Sequence, residues 1–233
     1  MSKELNLENY LSISSNKFAI YSFDTNSLKN LYKEEIIINQ NNEFIDFDLL
    51  QNFLDKNIFK IENLNGKFIK NIFLICDDKN IFNLKIGIKK KNYNTSINRD
   101  YLENLLKEAK ELFSENYQNE KIIHLVINKY LINGKSYSSL EDDLESDNIA
   151  LELQFKSISK NFINDIDNIL KKYQIKVVKS LDETYVKTLF NNDIELAEMC
   201  HKVLGGYNEN EVRFIRKTSK KLAFFEKFFQ LFS

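Results

Sequence analysis

The sequence predicts an α+β protein: a helix-on-sheet domain behind a strand-rich opening segment, ending in a C-terminal amphipathic helix. Three observations carry this. Residues 81–178 read as strand, helix, three strands, helix, strand, the order that lays helices on a sheet. Asn133-Gly134 interrupts two apolar runs, the strongest short hairpin signal in the chain. From Ser219 to Ser233, at 100° per residue, every large apolar side chain falls within about half of a helical wheel.

Element by element, Tyr10–Ile13, Lys17–Phe23 and Leu31–Ile38 read as short strands, with Ser14-Ser15-Asn16 and Asp24-Thr25-Asn26-Ser27 as the turns between them. Asp46 opens a helix that carries Leu50, Leu54, Ile58 and Ile61 near one face. Phe68–Cys76 is β-branched and aromatic, the composition of a buried strand, and Ile81–Lys89 alternates with Phe82, Leu84, Ile86 and Ile88 facing one way. Asn98 caps a helix with a continuous stripe through Tyr101, Leu102, Leu105, Leu106, Ala109, Leu112 and Phe113. Strands follow at Ile122–Ile132 and Ile149–Ile158, separated by the hairpin turn and the acidic loop Glu141–Asp147. Phe162–Leu170 reads as a helix and Ile175–Val178 as a closing strand. Two helical pieces, Asp182–Phe190 and Asp193–Leu204, lead to Gly205-Gly206.

Composition excludes several function classes. A hydrophobic content of 43% with 29% charged residues is that of an ordinary folded protein, and a net charge of −1 removes any general case for nucleic-acid binding. No N-terminal apolar run resembles a signal peptide or a membrane span. Two cysteines, Cys76 and Cys200, fit a reducing cytosol. Cys200-His201 are adjacent, and helical neighbours point about 100° apart, a poor start for a zinc cage. His124 sits in a strand pattern and reads as a hydrogen-bonded, semi-buried histidine. No GxSxG, GxGxxG or Walker A spacing occurs, and the acidic loop lacks the glycine of a calcium loop. No catalytic residue, cofactor or metal ligand is assigned.

The candidate functional residues lie in the tail. Leu222, Phe224, Phe225, Phe228, Phe229, Leu231 and Phe232 form the apolar half of its wheel, behind a basic flank of Arg213, Arg216, Lys217, Lys220 and Lys221. The helix is too short to span a bilayer, which takes about 20 apolar residues. With Ser219 as cap, Lys220 and Lys221 fall in the first turn, where the macrodipole disfavours cations. Lipid phosphates relieve that conflict. Each fully buried Phe supplies about 1.5–3 kcal/mol. The pattern fits a reversible foot on an anionic membrane surface, and equally a C-terminal helix that packs its Phe stripe on the protein's own core.

The stretch Tyr10-Leu11-Ser12-Ile13-Ser14-Ser15-Asn16-Lys17-Phe18-Ala19-Ile20 resembles the opening of actin-like ATPases of the cell-division FtsA type. Asn98 to Val178, with Tyr101–Lys110, Ile123–Gly134 and Ile149–Phe155, resembles the SHS2 (1C) subdomain inserted in that family, whose chains also end in a basic, aromatic amphipathic helix. The resemblance implies a remnant of subdomain 1A over 9–80, an SHS2-like domain over 81–181, a helical connector over 182–211 and a membrane-targeting tail over 212–233. At the position of the family's metal-handling aspartate stands Ser12; Ser14 and Ser15 replace its phosphate-turn Gly and Thr. The passage from the SHS2-like stretch almost directly to the tail leaves no room for the family's second half. The expectation is therefore a shortened, non-enzymatic adaptor without cofactor, peripheral on the inner face of the cell membrane. Its expected partners are other division proteins (FtsA, FtsZ or the cytoplasmic tails of membrane division proteins) and further copies of itself, not nucleic acid. The alternatives from the same resemblance are a pilus-assembly adaptor of the related PilM type and a nucleotide-binding actin-like ATPase.

Overall fold

A computed structural model describes residues 6–38, 44–91, 96–97, 99–139, 144–145, 148–191 and 193–213. The chain divides into two compact units, one formed by 1–82 with 158–207 and the other by 83–157 with 208–233.

The first unit is built on a five-stranded sheet in the order β11-β4-β1-β2-β3. Strands β1 (Leu7–Ile13) and β2 (Lys17–Asp24) form an antiparallel hairpin in register from Leu7↔Asp24 to Ile13↔Phe18. Its turn closes because the Ser14 amide donates to the Lys17 carbonyl at 2.9 Å. The Asp24 carboxylate accepts from the Asn26 amide and from the Ser27 amide and hydroxyl, which turns the chain into β3 (Lys29–Ile37). Helix α1 (Phe47–Asn65) starts where Asp46 accepts the Leu49 amide at 2.9 Å, and it stops at Gly66, whose φ of 65° no residue with a Cβ adopts cheaply. Leu50, Phe53, Leu54, Ile58 and Ile61 face the sheet, with Phe53 beside Phe18.

Strand β4 (Asn71–Cys76) pairs parallel with β1, and β11 (Lys176–Asp182) pairs parallel with β4. Helices α3 (Lys160–Lys171), α4 (Glu183–Thr188) and α5 (Leu196–Gly205) complete this unit. His201 of α5 lies over Phe23, so α5 covers the face that carries Tyr10, Ser12 and Phe23.

The second unit is a four-stranded sheet in the order β5-β10-β7-β8, from β5 (Ile81–Lys91), β7 (Glu120–Ile132), β8 (Lys135–Tyr137) and β10 (Asn148–Ser159). A separate two-stranded pairing joins β6 (Ser96–Ile97) to β9 (Leu144–Glu145). One helix, α2 (Arg99–Asn116), lays Leu102, Leu105, Leu106, Ala109 and Phe113 on the sheet residues Leu125, Ile127, Tyr130, Leu151, Leu153 and Phe155. The Phe113 and Phe155 rings stack at 4.8 Å. The outer edge of β7 beyond the short β8 is taken by residues 210–212: the Ile127 amide donates to the Asn210 carbonyl, and the Val212 amide to the Leu125 carbonyl.

Three boundaries differ from the sequence expectation. β4 begins at Asn71 rather than Phe68, because the chain leaving the Gly66 cap runs outward and Phe68 is exposed. α3 and β11, expected in the 81–181 domain, belong to the first unit, where β11 closes the parallel side of the sheet. Conversely, residues 208–211, expected in a helical connector, belong to the second unit. Strand composition does not encode a partner, and both segments satisfy two sheets equally well on pattern alone. The Asn98 cap, Glu141–Asp143, Ser146-Asp147 and the tail from residue 214 lie outside the described residues.

Asn133 (φ 48°) and Gly134 (φ 80°) both occupy the left-handed region, the geometry of a type I′ turn, between Ile132 and Lys135. Gly134→Ala lowers stability by about 1 kcal/mol, since Ala disfavours φ > 0. Urea unfolding will show a lower midpoint with an unchanged slope.

Candidate functional site

The parallel strands of the first unit bring a polar row to their carboxyl ends, the place where open sheets of this kind bind ligands. Ile13, Cys76 and Asp182 stand side by side at the strand tips; one residue earlier, Ser12, Ile75 and Leu181 do the same. Beyond the tips come the Ser14-Ser15-Asn16 turn, the short 3-10 turn Asp78–Asn80, and the start of α4.

Several polar side chains here are held by partners. Ser12, fully buried, donates its hydroxyl to Glu183 at 3.1 Å, and Glu183 also takes Lys187 one turn along α4 at 2.6 Å. Ser14 is folded into its own turn, donating to Asn16 at 2.7 Å and within 3.0 Å of the Lys17 carbonyl. Buried Asp182 caps α4, accepting from the amides of Thr184 and Tyr185 at 2.9 and 3.2 Å. Asp77 accepts from Asn80, and Lys79 reaches Ser15 at 3.5 Å.

The electrostatics of the row are acidic. Burial first, and then the carboxylates of Asp77, Asp182 and Glu183, push the Cys76 thiol well above its ordinary 9.0. Burial likewise raises Cys200, helped by Glu183 and Glu8 and opposed by Lys187. A phosphate brought to such a row needs a cation beside it. Among the described residues, no three His, Cys, Asp or Glu come together to hold a metal ion.

A second buried polar pair lies in the second unit. His124 Nδ1 is 2.8 Å from a Glu211 carboxylate oxygen, and both side chains are sealed from solvent. The sequence marks His124 as hydrogen-bonded but gives no sign of its partner, 87 positions away. In the first unit, Glu8 accepts from both Tyr10 and His201, the latter at 2.8 Å. Cys200 and His201 diverge as expected: one is buried, the other turned to Glu8.

The membrane-foot residues Arg216, Lys217, Lys220, Lys221, Leu222, Phe224, Phe225, Phe228, Phe229, Leu231 and Phe232 all lie outside the described residues. Among the described residues, no helix is long and apolar enough to cross a membrane.

No protein-family model and no curated protein matches the chain. Among solved structures it is similar to the PilM-PilN type IV pilus biogenesis complex, at 8% identity over 77% of this chain and 48% of that one, with a TM-score of 0.48. It is also similar to the cytoplasmic domain of EpsL, an inner-membrane component of the type II secretion system of Vibrio cholerae, at 6% identity over 78% and 59% of the two chains, TM-score 0.41. A third is a Bacteroides thetaiotaomicron protein with an actin-like ATPase fold and unknown function, at 14% identity over 79% and 55%, TM-score 0.31. The chain spans between 48% and 59% of the length of these structures. At these identities and scores, the likenesses define neither activity nor partner.

Both thiols are therefore neutral and shielded at physiological pH. A thiol whose pKa is higher folded than unfolded adds stability that is fully present below the unfolded value and is lost as pH rises above it. Titration with a chromogenic disulfide reagent at pH 8 will find neither cysteine reactive in the folded chain and both reactive in urea. Chemical stability will fall as pH is raised through about 9.

Proposed function

We propose that this chain is a non-enzymatic, FtsA-like cell-division adaptor that docks partner proteins through its second, SHS2-like unit. Its tail attaches it reversibly to the inner face of the cytoplasmic membrane. The observation that carries the non-enzymatic part is the state of Ser12. It stands where the resembled family keeps a metal-handling aspartate, it has no charge to offer a cation, and its hydroxyl is committed to Glu183. The adjoining turn offers Ser14 and Ser15 where backbone amides of a glycine turn would cradle phosphate, and Ser14 is closed on itself. The carboxylates of Asp77, Asp182 and Glu183 around the strand tips outnumber the ammonium groups of Lys79 and Lys187, which disfavours a nucleotide that arrives without its cation.

The adaptor part rests on the resemblance of the second unit and on the tail sequence. One short amphipathic helix binds membrane only marginally, so attachment draws on self-association or on a membrane-bound partner, through avidity. Those partners are the cytoplasmic tails of membrane division proteins, or FtsA and FtsZ themselves.

Isothermal calorimetry with Mg-ATP tests the first part. No heat of binding is expected up to millimolar nucleotide, and micromolar binding would overturn the non-enzymatic reading. A fluorescent fusion in cells tests the second. The full chain is expected as a membrane-bound band at midcell, and the chain lacking Ser219–Ser233 as diffuse cytosolic signal. Polar foci would instead support a pilus-assembly adaptor.

A further inference from the structure

Glycine is scarce in this chain: five residues, four of which have a local conformational use. Gly66, Gly134 and Gly206 occupy the left-handed region at helix caps and the hairpin turn, and Gly205 ends α5. Gly87 has no such use. It lies in the middle of strand β5 with ordinary backbone angles, where glycine costs about 0.5–1 kcal/mol relative to Ala. Nor is it demanded by packing, since a Cβ placed on it meets nothing within 4 Å. A mid-strand glycine with open space above it marks a face that something approaches closely.

That face is basic. Leu84, Ile86 and Ile88 point to the core, so Asn83, Lys85, Gly87, Lys89 and Lys91 line the side of the sheet away from α2. The Asn83–Gln154 hydrogen bond fixes the same side on β10, and Lys90, of opposite parity, pairs with Glu108 of α2. Lys85, Lys89 and Lys91 are exposed and have no ion pair among the described residues. The one carboxylate on the neighbouring strand, Glu152, is already shared between Lys129 and Asn128. The strand is thus a row of unpaired ammonium groups flanking a bare stretch of backbone, on a chain whose net charge is −1.

We infer that the open face of β5, with Lys85, Lys89 and Lys91 around Gly87, is a second membrane contact that receives the phosphates of anionic lipid headgroups. The inference rests on the membrane-foot reading of the tail, which is too weak alone and needs a second signal. The tail's root favours lipid as the occupant. Residues 210–212 lie along the outer edge of β7, roughly 14 Å from β5 at three strand spacings, so the basic face and the root of the tail belong to one small unit. A row of exposed ammonium groups beside bare backbone is complementary in charge to anionic headgroup phosphates.

Co-sedimentation of the full chain with phosphatidylcholine vesicles, with and without about one-quarter phosphatidylserine, tests this. Each basic residue near an anionic leaflet contributes about fivefold in affinity, so Lys85→Ser/Lys89→Ser/Lys91→Ser should weaken binding to the anionic vesicles on the order of 100-fold. It should leave binding to pure phosphatidylcholine unchanged. Gly87→Glu, which has room for its side chain, should weaken anionic binding without lowering the melting temperature. Equal binding by the triple variant and the parent overturns the inference. If the chain lacking Ser219–Ser233 also loses binding in that case, the foot reading survives on its own. If removing the tail changes nothing while the triple variant releases the vesicles, the foot reading fails and the β5 contact stands. A parent chain that ignores anionic vesicles overturns both.

Discussion

The parallel pairing of β4, with β1 on one side and β11 on the other, governs the rest of the molecule. Parallel neighbours cannot be joined by a tight turn, so the chain must travel from one end of the sheet to the other between them. Between β1 and β4 it uses β2, β3 and α1 for the return. Between β4 and β11 it uses a whole second unit followed by α3. The same pairing aligns three carboxyl ends, and with them Cys76 and Asp182 at the tips and Ser12 one residue back. The location of the candidate site and the place where the second unit is inserted are therefore two results of one register.

That row also ties α4 to the sheet. Asp182 satisfies the first amides of α4, and Glu183 bridges Ser12 on the sheet to Lys187 on the helix. Carboxylates at strand tips suit catalysis only when a cation and open coordination positions face them. Here Asp182 and Glu183 accept from the protein's own amides, hydroxyl and ammonium groups and so hold α4 against the sheet.

Local order was legible wherever one residue type decides it. Asp46 and Gly66 bracket α1, Asn133-Gly134 sets the hairpin, and the alternation of Ile149–Ile158 gives the faces of β10. Pairing across long separations was not legible. Nothing in Ile175–Val178 says that it joins Asn71–Cys76 rather than the strands just before it, and nothing near Glu211 says that it fills the space beside His124. Resemblance singles out the position of Ser12, while its hydrogen bond to a residue 171 positions away was not legible. Gly87 carried a signal that composition alone offered: in a chain so poor in glycine, one without a turn or cap to make needs another reason.

The anchoring of residues 210–212 on β7 has a mechanical consequence. The chain passes between the units at 82–83, at 157–158 and again at 207–208, and its last described segment ends in the second unit although α4 and α5 belong to the first. Tension applied beyond residue 213, as when a tethered chain is pulled from a surface, first loads two backbone hydrogen bonds beside β7 and the sealed His124–Glu211 contact. While those contacts hold, the load reaches the first unit through the crossings at 82–83 and 157–158 rather than directly through α5. Residues 210–212 are thus the first contacts such a load meets, ahead of the unit that carries the polar row.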